Sequence, residues 1–351
     1  MSTTNRNQTA DVLRGLAILL VILGHTMSNC GIDAFEDTFL YRVIWSLQMP
    51  LFMLISGFVS RYTKKPESFR DLLVYVRKRC VSYLLPWLVW TLAVNGLFRG
   101  FSTLAELPSY FIYMLFHMDS GFWFLGSLWT ICILFICAFY LSAKMKQRQE
   151  LWLFIFAGVG TVLLALVAYI VGLNFFALKL TLYYIPFFFL GRLLHNMQSA
   201  WGEKPWYITA SQYCVLLSLI LYAASLRVFN SYTAQDHPLQ IAMRFFQSLT
   251  GCITVSAAVH AAVSRKLSRP LCALGSLGKK TMELYLSHYI FLNLVRTQTP
   301  LSLFTLAGWC HLIANFILAV GFSLLLSAIL SCNRFSAFLF FGKSVRLENR
   351  K

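Results

Sequence analysis

The sequence predicts an all-α fold, a polytopic transmembrane helical bundle of about ten spans. Three observations lead there. The 351 residues are 58% hydrophobic and only 12% charged, with a mean hydropathy of +0.66. Those values exclude an ordinary soluble domain. Apolar runs of about 20 residues, the length that crosses a bilayer, recur along the whole chain. The net charge of +17 is spread over alternate loops rather than gathered in one patch. It therefore reads as membrane topology, with anionic lipid or an anionic cytoplasmic ligand as partners and no nucleic acid.

The first span covers about 11–29. It carries Asp11, Arg14 and His25 in an otherwise apolar stretch. At about 100° per residue, the step from Arg14 to His25 sums to about three turns plus 20°. The two side chains share one face, about 16 Å apart along the axis. Asp11 lies one turn from Arg14 on nearly the same side. Ionisable groups at membrane depth are expensive and face a partner or a cavity. Asp11 and Arg14 read either as an interfacial ion pair or as part of a site. His25 has no acidic partner in its own helix and reads as functional. No small-residue cleavage site follows this run, so it is expected to be a retained span.

The second span is about 41–61, with Pro50 and Gly57 inside it and Gln48 in its outer half. A glutamine at that depth needs partners, which points to a cavity face. A basic loop follows, ending in Arg77, Lys78 and Arg79; arginine gives forked donors to phosphate. The third span is about 80–98. The apolar stretch 104–118 is too short to cross and is expected to be re-entrant or interfacial. Spans four to eight begin near residues 122, 151, 175, 207 and 240. Basic loops alternate with loops that carry no lysine or arginine, and 192–206, with Arg192, is one of the basic ones. After the loop 263–280 comes span nine, about 281–297. There Tyr285 and His288 stand one turn apart, with Glu283 nearer the start. His288 is a second intramembrane imidazole, suited to chemistry or to a helix–helix hydrogen bond. Span ten is about 303–331. With both termini cytoplasmic, 23 of the 30 basic residues fall in inside loops or tails. The whole chain, 1–351, reads as one integral-membrane domain. Lys179, His260, His311 and Asn315 stand isolated and read as core or interface residues. The nine cysteines form no CxxC pair and read as small hydrophobes, and no metal set or nucleotide motif is visible.

Several blocks, in order, resemble the acyltransferase 3 family of integral-membrane acyltransferases. They are Asp11-Val12-Leu13-Arg14-Gly15 followed by His25, and Met49-Pro50-Leu51-Phe52 through Ser56-Gly57-Phe58. Further along come the basic lead-in from Arg79 to Pro86, Trp123-Phe124-Leu125, and Gly278 to His288. The Met-Pro-Leu-Phe form is similar to the fucose 4-O-acetylase branch. That branch often has histidine where this chain has Gln48, and a basic residue where it has Ser82.

The resemblance implies transfer of an acetyl or other short acyl group from cytoplasmic acetyl-CoA, an acyl-CoA co-substrate, with no metal. The acceptor would be a hydroxyl of a surface glycan or a lipid-linked sugar, and the location a bacterial cytoplasmic (inner) membrane. It makes Arg14 and His25 the essential pair, with Arg77 and Arg79 near the donor. The residues themselves add Asp11, Tyr285 and His288 beside the pair, Arg14 and Lys78 toward the donor, and Gln48, Ser56 and Trp123 toward the acceptor; the basic cluster also reads as a positive-inside anchor, and Trp123 as part of an interfacial aromatic belt. An imidazole is the side chain that takes a hydroxyl proton near neutral pH without a large shift. A secondary transporter is the competing class, since proline-broken helices with buried polar groups suit one equally.

Overall fold

Helix-forming apolar runs dominate the computed structural model, which describes residues 7–94, 106–118, 121–233, 237–265 and 268–343. Of the charges assigned to loops and tails, Arg6, Lys266, Arg346, Arg350 and Lys351 lie outside the described residues, as do positions 95–98 of the third expected span. Eight helices among the described residues are long and apolar enough to cross a membrane. We number the helices in chain order: α1 Gln8–Asn29, α2 Phe39–Val59, α3 Phe69–Arg79, α4 Leu85–Val89 and α5 Leu107–Phe116. Then come α6 Trp123–Ala143, α7 Gln149–Val171, α8 Leu178–Trp201, α9 Pro205–Val228 and α10 Pro238–Arg265. The last four are α11 Arg269–Gly278, α12 Thr281–Ser287, α13 Leu306–Ser331 and α14 Arg334–Phe341. No strand occurs among the described residues; one isolated bridge pairs Ile32 with Leu301.

The eight long helices correspond to eight of the ten expected spans. At the other two, the third and the ninth, no helix among the described residues is long enough to cross, and shorter pieces stand there. The segment from Cys80 runs through a π-helical turn, α4 and a second π-helical turn, Trp90–Val94. The expected ninth span, 281–297, is helical only as far as Phe291, and the expected loop 263–280 before it holds α11. α11 precedes a break at Lys279 and Lys280, α12 follows, and the chain then tightens into a 3-10 turn, His288–Phe291. The basic loop before the third span is also helical where a cap permits. The Ser68 side chain accepts from the Asp71 N–H, and Asp71 accepts from the Ser68 N–H. This reciprocal capping starts α3. The Ser68 hydroxyl and the Ser68 and Glu67 N–H groups together hold the Asp71 carboxyl below the usual carboxylate range. A third difference lies in α8. Arg192, expected in a loop, is inside the helix and fully buried, and it donates to Ser60 Oγ at 3.4 Å. A charge so placed persists only with hydrogen-bond partners, and it lets α8 continue beyond it.

The chain divides into two compact units. One comprises Met1–Arg61 with Leu190–Ser327, the other Tyr62–Phe189 with Ala328–Lys351. In the first, α1 packs against α2, α10, α11 and α12, and α9 packs on α10. Ile18, Ile22, Ile44, Leu51, Met53 and Ile55 fill its core. Glycines permit the closest approaches. A methyl on Gly15 would strike the Leu274 carbonyl, one on Gly278 the Asp11 carbonyl, and one on Gly191 the Leu54 carbonyl. In the second unit α6 packs against α7 and α3, and α14 lies along α4, where Trp90 Nε1 donates to the Phe340 carbonyl at 2.8 Å. Phe135, Phe187 and Phe188 are fully buried there.

α7 and α9 are apolar yet largely uncovered. Val162, Leu163, Tyr169 and Ile170 of α7 and Tyr213, Leu216 and Ile220 of α9 are exposed. Contiguous apolar faces of that size do not persist in water, and the bilayer supplies their cover.

Replacing Gly278 with alanine should destabilise the fold by at least about 1–3 kcal/mol, because neither backbone can yield easily. Thermal unfolding of the detergent-purified protein reads this out. Gly158→Ala on α7, where a methyl meets nothing within 4 Å, should match or slightly exceed the wild type. Equal melting of all three proteins would contradict the packing described.

Candidate active site

α1 places the first polar groups. Asn7 caps its start by accepting from the Ala10 N–H. Asp11 sits in the first turn, where a carboxylate opposes the positive end of the helix dipole. Arg14 Nη1 lies 3.7 Å from Asp11 Oδ1; the aspartate is buried and the arginine partly so. The helix then continues unbroken to His25, so Arg14 and His25 keep the common face that the spacing predicts.

The end of α1 is held tightly. Ser28 Oγ and Asn29 Nδ2 both donate to the His25 carbonyl, at 3.1 and 2.8 Å. His311 Nε2 donates to the Cys30 carbonyl at 2.7 Å. Gly24 leaves room beside the histidine; a methyl there would come within 2.9 Å of Ile44 Cγ2 and 3.2 Å of Gln48 Oε1. Gln48 is buried on α2 and its Oε1 has no hydrogen-bond partner among the described residues.

The 3-10 turn after α12 brings a second imidazole and a phenol to His25. The His25 and His288 ring centroids are 5.5 Å apart. His288 is fully buried, and its Nδ1 donates to the Leu284 carbonyl at 3.0 Å. A carbonyl accepts only, so that nitrogen carries the proton and Nε2 of the neutral ring presents a lone pair. Nε2 has no hydrogen-bond partner among the described residues. A buried, unpaired acceptor is costly by about 1–3 kcal/mol, the kind of deficit that a bound hydroxyl or a water removes. Tyr285 is buried with its ring 6.0 Å from that of His288.

Tyr289 is the residue that sequence reasoning missed. Its hydroxyl lies 3.0 Å from Nδ1 and 3.2 Å from Nε2 of His25. Its ring is 4.6 Å from that of His25 and 4.8 Å from that of His288. Helical spacing groups Tyr285 with His288 and leaves Tyr289 off that face. The change to about three residues per turn at His288 redirects it. The Tyr289 turn is tied down beyond Phe291. Asn315 Oδ1 accepts from the Val295 N–H at 2.9 Å, and Asn315 Nδ2 donates to the Val295 carbonyl at 3.0 Å. Leu301 pairs with the turn after α1, donating to the Gly31 carbonyl and accepting from the Asp33 N–H.

The remaining candidates have other surroundings. Ser56 is half-buried in the last turn of α2. Arg77 and Lys78 are exposed at the end of α3. Arg79 turns inward: its guanidinium lies 4.8 Å from the Tyr75 ring centroid, and Nη1 donates to the Tyr83 hydroxyl at 3.1 Å. Trp123 begins α6 and stacks on Tyr184 with centroids 5.4 Å apart and planes 16° apart. Arg77, Lys78, Arg79 and Trp123 belong to the second unit. The other candidates belong to the first.

Asn315→Ala should loosen the segment 292–301. It removes two hydrogen bonds, each contributing about 0.5–1.5 kcal/mol. Hydrogen exchange at Val295 and Leu301 should quicken while the middle of α1 stays protected. Unchanged exchange at Val295 would refute the clamp.

Sequence comparison agrees with this architecture. A profile of the acyltransferase 3 family, described as an acyltransferase domain, matches residues 7–331. Nodulation protein NolL of Mesorhizobium japonicum is 27% identical over 308 residues, covering 81% of this chain and 76% of that protein. Nodulation protein NolL of Sinorhizobium fredii is 36% identical over 89 residues, 24% of each chain. No solved structure matches. With an acyltransferase domain over nearly its whole length and eight helices fit to cross a bilayer, the chain belongs to the acyltransferase 3 family and is a multi-pass membrane acyltransferase.

Proposed function

We propose that this acyltransferase is an O-acetyltransferase of a bacterial cytoplasmic membrane. It moves an acetyl or other short acyl group from cytoplasmic acyl-CoA to a hydroxyl of a cell-surface polysaccharide or its lipid-linked precursor. The observation that carries the reading is the polar face of α1, with an Asp11–Arg14 ion pair near its start and His25 near its end, grouped with a second imidazole.

In this reading His25 is the general base. A ring nitrogen takes the proton as the acceptor oxygen attacks the thioester carbonyl carbon. The C–S bond then breaks, and the imidazolium returns the proton to the departing thiolate, giving an ester and free CoA. Transfer through an acetyl-His25 intermediate satisfies the same geometry in two steps. His288 Nε2 and Gln48 Oε1, both buried acceptors without partners among the described residues, suit hydroxyl groups of a sugar. Tyr285 backs His288, and Ser56 on α2 is a further proposed acceptor contact. Arg14, with Asp11 setting its position, offers a guanidinium to an anionic donor group. Arg77 and Lys78 are proposed contacts to donor phosphates, with Arg79 held in place by its tyrosines. Trp123, already stacked on Tyr184, has the flat face that sugars favour.

Mass spectrometry of surface glycans from cells with and without the protein tests the reading. Wild type should add the mass of one acyl group, and His25→Ala should lower the acylation by about 10²–10⁴-fold or more while still accumulating in the membrane. Full acylation with His25→Ala ends the assignment of the base. Uptake of a solute with the donor thioester left intact would instead mark a transporter.

A further inference from the structure

We propose that Tyr289 is the positioning residue for His25: its hydroxyl straddles both ring nitrogens and keeps the imidazole aligned through its whole protonation cycle. This rests on the reading of His25 as the reacting imidazole.

The contact pattern is unusual for a histidine. Oriented imidazoles generally give one N–H to a carboxylate or a carbonyl, which fixes the tautomer and frees the other nitrogen. His288 follows that pattern through the Leu284 carbonyl. His25 does not. Among the described residues its ring nitrogens meet only the Tyr289 hydroxyl, at 3.0 and 3.2 Å. A hydroxyl both donates and accepts. In any one state it makes one such bond, donating to a bare nitrogen or accepting from one that carries hydrogen. With both nitrogens in reach, a small shift of the oxygen suits either neutral tautomer or the imidazolium.

Acyl transfer needs that tolerance. The ring takes a proton from the acceptor hydroxyl and gives it to the CoA thiolate, so one nitrogen does the chemistry while the other must stay held as the ring passes between neutral imidazole and imidazolium. A hydroxyl holds it in either state without adding a charge. As the acceptor hydroxyl reaches one nitrogen, the phenol keeps the other.

Tyr289 is placed for this work. It is 47% exposed although its hydroxyl is engaged. Its ring packs against both histidines, with interplanar angles of 46° and 47°. The turn that carries it is anchored on one side by the His288–Leu284 hydrogen bond and on the other by Asn315. The phenol is thereby fixed from the backbone while its tip remains free to shift between two nitrogens.

The test is carbethoxylation of the purified full-length protein in detergent with diethyl pyrocarbonate, which modifies neutral imidazole nitrogens, with mass-spectrometric readout at His25 and His288 separately. Tyr289→Phe keeps the ring and removes the hydroxyl. His25 should label several-fold faster while His288, still covered by the ring, is unchanged. Tyr289→Ala should speed both. Surface acylation by Tyr289→Phe should fall roughly 10- to 100-fold, as for loss of a group that orients a reacting one. Unchanged labelling of His25 in Tyr289→Phe, or wild-type acylation by it, overturns the proposal. If Tyr289→Phe melts well below the wild type, 3-fluorotyrosine at 289 takes its place, having nearly the same shape and a more acidic phenol. A displaced pH–rate profile then supports the role, and a superimposable one overturns it. Failure of the functional reading is a separate result, full acylation by His25→Ala.

Discussion

A polar group buried in an apolar bundle must find a hydrogen-bonding partner, and this single constraint organises the first unit. Asp11 and Arg14 answer it with each other. The His25 carbonyl answers it with Ser28 and Asn29, the Cys30 carbonyl with His311, and Val295 with Asn315. His311 and Asn315 thus tie both the end of α1 and the loop after α12 to α13, and Leu301 pairs that loop directly with Gly31 and Asp33. The exceptions are informative for the same reason. His288 Nε2 and Gln48 Oε1 stay buried without partners among the described residues, beside a histidine whose nitrogens share one hydroxyl. They are two of several such buried atoms in this unit, Ser231 Oγ, Gln247 Oε1, Ser256 Oγ and Ser323 Oγ among them, and what sets these two apart is that one lies beside the His25 ring and the other beside Gly24.

The close approach of α1 to α11 is the scaffold for that arrangement. Gly15 and Gly278 let backbone meet backbone. In a bilayer, where apolar side chains gain nothing by leaving lipid, such small-residue contacts are a main source of helix association. They fix the lower half of α1, and the polar bonds fix its upper end. Arg14 and His25 are thus held on a rigid rod.

Much of this was legible in the sequence. The apolar runs placed eight long helices, and the spacing of Arg14 and His25 placed them on one face. His311 and Asn315 were read as structural, and both make backbone hydrogen bonds. What was not legible has a common cause: places where helical periodicity stops. The π-helical turns around α4, the break at Lys279 and the 3-10 turn at His288 each change the residue-to-residue rotation, and a 100° rule fails across them. Tyr289 was overlooked on that account. Arg192 was placed in a loop because a charge after an apolar run reads as an end, and a buried partner such as Ser60 leaves no local signal. The helix α3 was concealed in a basic stretch, although the Ser68 and Asp71 spacing is the mark of a capped start.

A structure of the protein with a non-transferable acetyl-CoA analogue bound puts the chemistry to its most direct test. The thioester mimic should lie within hydrogen-bonding reach of His25, with the Tyr289 hydroxyl still on one ring nitrogen. An analogue seated with its acyl carbon far from both imidazoles would contradict the assignment of this cluster as the place of acyl transfer.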